Sequence, residues 1–231
     1  MAILIPLWYY EFGSVIYMLA AFVGMLLSYY SFKLYEIGSK RNQMFFHAAF
    51  IFITAGLFAI ALANIYGYVN FTSCQPICEF NKVDAVYTVI KFGNYGYYLT
   101  SLIGYGLMAL SYFGTRRKLL LPLVFAFADP QSTQVLYPFI NSNIPSFQLF
   151  QFLSILIISY IGLKTVNNYN MTRNRHSLYV MLGFIFIGIY HFLMFLVPLS
   201  EEFFALAHFS MLLGFGSLLY MLVQVNKHGR T

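Results

Sequence analysis

"AHFSMLLGFGSLLYMLVQV", Ala207–Val225, decides how the rest of the chain is read. It carries no charged residue, one histidine near its start and Gly214-Phe215-Gly216 near its centre. A helix needs about 20 mostly apolar residues to cross the ~30 Å hydrocarbon layer of a bilayer, and this stretch with its neighbours meets that need. Working outward, stretches of the same kind cover about 13–35, 44–68, 85–113, 118–140, 146–167, 177–198 and 202–225. The fourth is interrupted by Pro122, Pro130 and Pro138 and carries Asp129 near its middle. No internal repeat and no loop long enough for a soluble domain is visible. The expectation is an all-α membrane protein forming one domain over residues 1–231, a seven-transmembrane-helix bundle.

Composition agrees on the class. Sixty per cent of residues are hydrophobic and only 9% are charged, against about 25% charged in a typical soluble domain. When the seven stretches alternate in direction, Lys33, Lys40, Arg41, Arg116, Arg117, Lys118, Lys164, Arg173, Arg175, Lys227 and Arg230 fall on one side. Only Lys82 falls in a loop on the other side, and Lys91 lies inside a helix. The positive-inside rule then predicts an N-terminus outside and a C-terminus in the cytoplasm of a cell that holds the chain in its plasma membrane. Glu11, Glu79, Asp84, Glu201 and Glu202 all fall outside in this arrangement. The net charge of +6 is therefore a topology signal, and nucleic acid is not an expected partner. The bilayer is, with a second copy or a membrane-complex subunit left open. "MAILIPLWYY" lacks the basic start and small-residue site of a cleaved leader, so none is expected.

The outer loop "NFTSCQPICEFNKVD" holds both cysteines, Cys74 and Cys78, on the oxidising side, where a small disulfide is expected. Asn70-Phe71-Thr72 is an acceptor sequon for glycosylation on the same side. The loop offers too few ligands for a metal.

Polar residues inside a membrane helix are the expensive ones, about 2.5–3.5 kcal/mol for a charge at the centre. Lys91 and Asp129 are the candidates. Lys91, Asn94, Tyr98, Ser101 and Tyr105 recur at i, i+3, i+7, i+10 and i+14, a stripe expected to face the bundle interior because lipid offers no hydrogen bonds. Tyr190, His191 and His208 lie in the same halves of the sixth and seventh stretches, so a polar interior cluster is predicted. It is read either as a ligand pocket or as hydrogen bonding between helices.

The opening stretch resembles the seventh helix of the microbial rhodopsins, the bacteriorhodopsin family. There an Asp is followed four residues later by the lysine that holds retinal as a Schiff base, then by x-Gly-Phe-Gly. His208 stands at the Asp position, Leu212 at the lysine position, and Gly214-Phe215-Gly216 match without a gap. In the third helix the family's Arg, counter-ion Asp, Trp, Thr and inner proton-donor Asp fall on Lys91, Asn94, Tyr95, Tyr98 and Tyr105. Phe46 through Gly67-Tyr68 is similar to the family's second helix, and Ala128-Asp129 to its Ala-Asp pair in the fourth. The resemblance implies a microbial-opsin-like bundle, and its departures imply the loss of the family's chemistry. Leu212 has no amine, Tyr95 and Ile187 stand where tryptophans sandwich retinal, and Asn94 and Tyr105 carry no carboxylate. A non-photoactive sensor, small-molecule binder or structural component without covalent retinal is the expectation. A Schiff base on Lys91 is the one route by which retinal could still attach.

Two other functions fit parts of the pattern. His191 and His208 on neighbouring helices could ligate one haem from opposite faces in a haem- or quinone-associated subunit of a redox complex. Alternatively, Lys91, Asn94, Tyr98 and Tyr105 could line a passive path for solutes or ions. No H-E-x-x-H, phosphate-binding loop or G-x-S-x-G is present, so enzymatic activity is not expected.

Overall fold

The computed structural model describes residues 7–38, 41–73, 80–112 and 146–228, and these form six helices. They are α1 (Leu7–Gly38), α2 (Arg41–Ser73), α3 (Phe80–Tyr112), α4 (Ser146–Thr172), α5 (Arg175–Leu196) and α6 (Glu202–His228). Five of them, all but α3, are long and apolar enough to cross a membrane. The described residues are all helical, and five apolar helices of this length make the chain a multi-pass membrane protein. This corrects the expected seven-helix bundle, and the orientation derived from seven alternating crossings goes with it. The sequence count gave α3 the same weight as the others. Lys91, Asn94, Ser101 and its run of tyrosines and glycines lower its mean hydropathy below that of a span judged on composition. The expected fourth helix, 118–140, with Asp129, lies outside the described residues, as do Cys74 and Cys78.

The six helices close a ring in which each packs on its neighbours in sequence and α6 returns to α1. Directions follow from the pairs that meet. Ser28 bonds His47 and Tyr97 bonds Tyr190, while Tyr112 packs on Phe184. His191 bonds Gln151 and Asn168 bonds Ser177. Trp8 lies against Phe204 and Asn226 bonds the Tyr30 carbonyl. So α1, α3, α4 and α6 run one way, and α2 and α5 the other. Two pairs are parallel, α6 with α1 and α3 with α4, which places Tyr112 and Ser146 at opposite ends of the bundle. Lys33, Arg41, Lys164, Arg173, Arg175 and Lys227 gather towards one end, and Glu11, Glu201 and Glu202 at the other.

Small residues set the closest crossings, as expected where dispersion rather than water drives association. A Cβ on Gly104 would stand 2.8 Å from the Ala49 carbonyl oxygen of α2, and one on Gly214 would stand 2.9 Å from the Gly183 carbonyl oxygen of α5. Gly216 faces outward with nothing within 4 Å of its would-be Cβ. The first glycine of Gly-Phe-Gly is therefore a packing residue, Phe215 is core, and the second glycine touches no other helix.

The α4–α5 corner is made by two residues. Arg173 adopts φ 45° and its N–H donates to the Tyr169 carbonyl, ending α4 in a left-handed residue. Asn174 then caps α5 by accepting from the His176 N–H at 3.2 Å. At the other end of α5 the helix tightens at Val197, which keeps helical dihedrals and donates its N–H to the Met194 carbonyl at 3.3 Å, and Pro198 follows without an N–H to continue the ladder.

Candidate functional site

The inward face of α3 carries Tyr97, Ser101, Tyr105 and Met108, all nearly or fully buried. The spacing of four, four and three keeps them on one side of a helix that turns about 100° per residue. Opposite stand Tyr190 and His191 of α5, Phe150 and Gln151 of α4, Tyr17 of α1 and His208 of α6, and each is buried. Of the residues expected in a polar interior, Ser101, Tyr105, Tyr190, His191 and His208 stand here.

Its best-defined part centres on His191. Nδ1–H donates to Gln151 Oε1 across 2.6 Å, because a carbonyl oxygen can only accept. Nε2 is then free to accept from the Tyr105 hydroxyl at 2.8 Å. Three helices are thus tied through one imidazole. Tyr97 and Tyr190 bond hydroxyl to hydroxyl at 3.0 Å one position away along α5. His208 is held differently. Its Nδ1–H donates to the Phe204 carbonyl of its own helix at 2.7 Å, and Nε2 is buried without a partner. Around the ring stand Phe204, Tyr17, Tyr190 and Phe12, with centroids at 4.2, 4.8, 5.8 and 6.0 Å. His208 therefore faces an aromatic cage.

The other expected residues are placed as follows. Lys91 is exposed on the outer surface of α3, its Nζ 5.9 Å from the centroid of the Tyr95 ring, and Tyr95 is exposed as well. Asn94 is half-buried, and no hydrogen bond joins it to the histidines. Tyr98 stacks on Phe150 at 4.5 Å. Leu212 is half-buried against the core, one turn from His208. The upper half of the expected stripe turns outward because the buried face of α3 runs through Ile90, Tyr97 and Ser101, and Lys91 follows Ile90 by about 100°. Asn70 sits in the last turn of α2, its side-chain amide donating to the Tyr66 carbonyl at 2.8 Å.

Three of its polar members do not stand out in the sequence: Gln151, Tyr17 and Tyr97. Gln151 had a usable signal, since an amide in an apolar membrane helix needs a partner as much as a histidine does. Tyr17 and Tyr97 are hidden among twenty tyrosines.

Around His208 and Leu212 the interior is filled by aromatic rings. Open space lies nearer the basic end, where a cavity of about 200 Å³ is lined by Leu34, Phe46, Phe50, Phe184 and Leu222, with Ser31 and Gln43 as polar groups. Gln43 Oε1 is buried there without a partner. Among the described residues no three His, Cys, Asp or Glu side chains come close enough to hold a metal ion. Compared with known proteins, the chain matches no family model, no curated protein and no solved structure.

Proposed function

We propose that this chain is a plasma-membrane protein that binds one small, largely apolar molecule non-covalently in the cavity near its basic end, and that it does no photochemistry. The observation that carries this reading is the cavity itself, apolar and walled by α1, α2, α3, α5 and α6. A dry cavity of roughly 150 Å³ accepts benzene, so one of about 200 Å³ suits a single-ring molecule with a short substituent. The likeness to microbial rhodopsins supports the non-covalent part, because Leu212 replaces the lysine and Lys91 points away from the interior.

The other two readings find less support. Both nitrogens of His191 are engaged by Gln151 and Tyr105, so an axial bond to haem would break one of these. Of the residues a solute path would follow, Lys91 is exposed on the outer surface, Tyr98 stacks on Phe150 and Tyr105 is bonded to His191.

The test uses 4-fluorotoluene as a probe, read by fluorine NMR with the chain in lipid nanodiscs. A bound resonance distinct from lipid-dissolved probe is expected, and it should vanish in Val180→Phe, which fills the cavity from α5. A bound signal that survives this substitution would place the probe elsewhere and end the proposal.

A further inference from the structure

On the flank where α1 meets α2 there is an open groove of about 600 Å³, walled by Tyr29, Phe32, Ile51, Ala55 and Phe58, with Ser28 and His47 also lining it. It is separate from the cavity inside the ring and opens where lipid packs. The His47 ring is oriented by α1. Nδ1 lies 2.9 Å from Ser28 Oγ and 3.0 Å from the Ser28 carbonyl oxygen; the carbonyl can only accept, so Nδ1 carries the proton and shares it between the two oxygens. Ser28 Oγ in turn donates to the His47 carbonyl at 3.4 Å. Nε2 is left with its lone pair, and it makes no hydrogen bond among the described residues. His47 follows the start of α2 at Arg41 by about 9 Å along the helix, close to the depth where polar lipid groups meet the hydrocarbon. An acceptor held there gains from any donor that arrives, since bulk water does not reach far below the headgroups.

The remaining chemistry narrows the donor. No charged side chain lines the groove. Lys33 is the cation nearby in sequence, its Nζ 5.8 Å from the Tyr29 ring centroid, and it is not part of the lining. A phosphate or carboxylate seated in the groove would meet no charged side chain in its lining, since Lys33 and Arg41 stand outside it over Tyr29 and Phe45, whereas a neutral hydroxyl needs none. From His47 the groove runs to Phe58, about 16 Å along α2, past the small side chain of Ala55 between aromatic walls. A flat, stiff apolar body fits such a trough and surrenders less conformational freedom on binding than a flexible acyl chain.

We propose that the α1–α2 groove binds a sterol-type lipid, its hydroxyl donating to His47 Nε2 and its fused rings lying on Phe32, Ala55 and Phe58. The site is independent of the cavity ligand.

The experiment reconstitutes the full chain in phosphatidylcholine vesicles containing a photoreactive sterol with a clickable tail. Labelling should saturate and map to the peptides spanning 25–32 and 47–58. Unlabelled sterol should compete, and the matching ketone, which cannot donate, should compete about fivefold less well, the worth of one hydrogen bond to a half-buried group. His47→Phe should lose labelling to a similar degree. Ala55→Trp, at an exposed position that can take bulk without unfolding the chain, should block the groove, so the outcome remains decisive if His47→Phe fails to fold. Equal competition by the ketone, wild-type labelling of either variant, or label spread evenly over all lipid-facing helices would overturn the proposal. So would displacement by phosphatidylethanolamine, whose ammonium is the other donor a bilayer supplies.

Discussion

At the scale of single residues, the two buried histidines make a matched pair with opposite connections. Removing His191 strands the Tyr105 hydroxyl and Gln151 Oε1 together, two partners drawn from two other helices. Removing His208 strands only a carbonyl of its own helix, since Nε2 has no partner to lose. Hydrogen bonds between membrane helices average about 0.6 kcal/mol and reach about 1.7 kcal/mol. The His191 bonds should sit at the upper end, because both are short and fully buried. His191→Phe is thus expected to cost about 2–3 kcal/mol in reversible unfolding from mixed micelles, and His208→Phe under about 1 kcal/mol. Equal losses would show that His191 contributes by ring packing alone. Tyr105→Phe alone should recover about half of the His191→Phe loss, and the two together should be clearly less than additive. Part of this cluster was legible: His191, His208, Tyr105 and Tyr190 stand out as polar groups in apolar surroundings. Charge does not mark the interior at Lys91, which is exposed on the outer surface of α3. A lysine can lie on the outer surface of a helix by reaching along it, whereas a glutamine such as Gln151 cannot, and Gln151 was the residue to flag.

At the scale of elements, helix faces and corners carry the predictions. Gly214 and Gly216 are two residues apart and chemically identical, yet only the first meets backbone of another helix. Gly214→Ala drives a methyl into the Gly183 carbonyl, which cannot rotate away, and should cost about 1–3 kcal/mol. Gly216→Ala meets open space and should be neutral or stabilising by up to about 1 kcal/mol. The difference in unfolding midpoint between the two variants measures this directly. A smaller loss for Gly214→Ala than for Gly216→Ala would mean the α5–α6 crossing is looser than described. The α4–α5 corner gives the opposite kind of change. Arg173 holds a left-handed conformation that costs a residue with a Cβ about 1 kcal/mol or more, so Arg173→Gly should raise stability by up to about 1 kcal/mol. No gain on that substitution would place a compensating contact on the Arg173 guanidinium. The Gly-Phe-Gly segment could be read from the sequence as a packing device. Which glycine packs could not, because the crossing point depends on where α5 lies.

At the scale of the whole molecule, the membrane class was legible from apolar run length alone. The number of spans was not, because run length was counted without weighing the polar residues of α3, which lower its mean hydropathy below that of the five others. The cavity was invisible for another reason: its volume comes from how side chains of five helices fail to meet. The expected loss of opsin chemistry belongs at this scale too. Protein purified from its membrane and mixed with all-trans retinal should show no retinal-dependent band in the visible, because no amine faces the interior among the described residues. A broad visible band would reinstate Lys91 as an attachment point and require α3 to turn about its axis. Finally, the parallel pairing of α3 with α4 has a consequence of symmetry. The helices α1–α2–α3 and α4–α5–α6 are two triplets that run in the same senses, and the two seams between them, α3 with α4 and α6 with α1, are both parallel. Half a turn about the bundle axis carries each triplet onto the other in order, direction and neighbour, although the two share no visible sequence. The described helices thereby repeat the layout of a pair of three-helix units. His191 ties the two triplets together across one seam, through Tyr105 of α3 and Gln151 of α4, while the α1–α2 groove lies wholly within the first triplet.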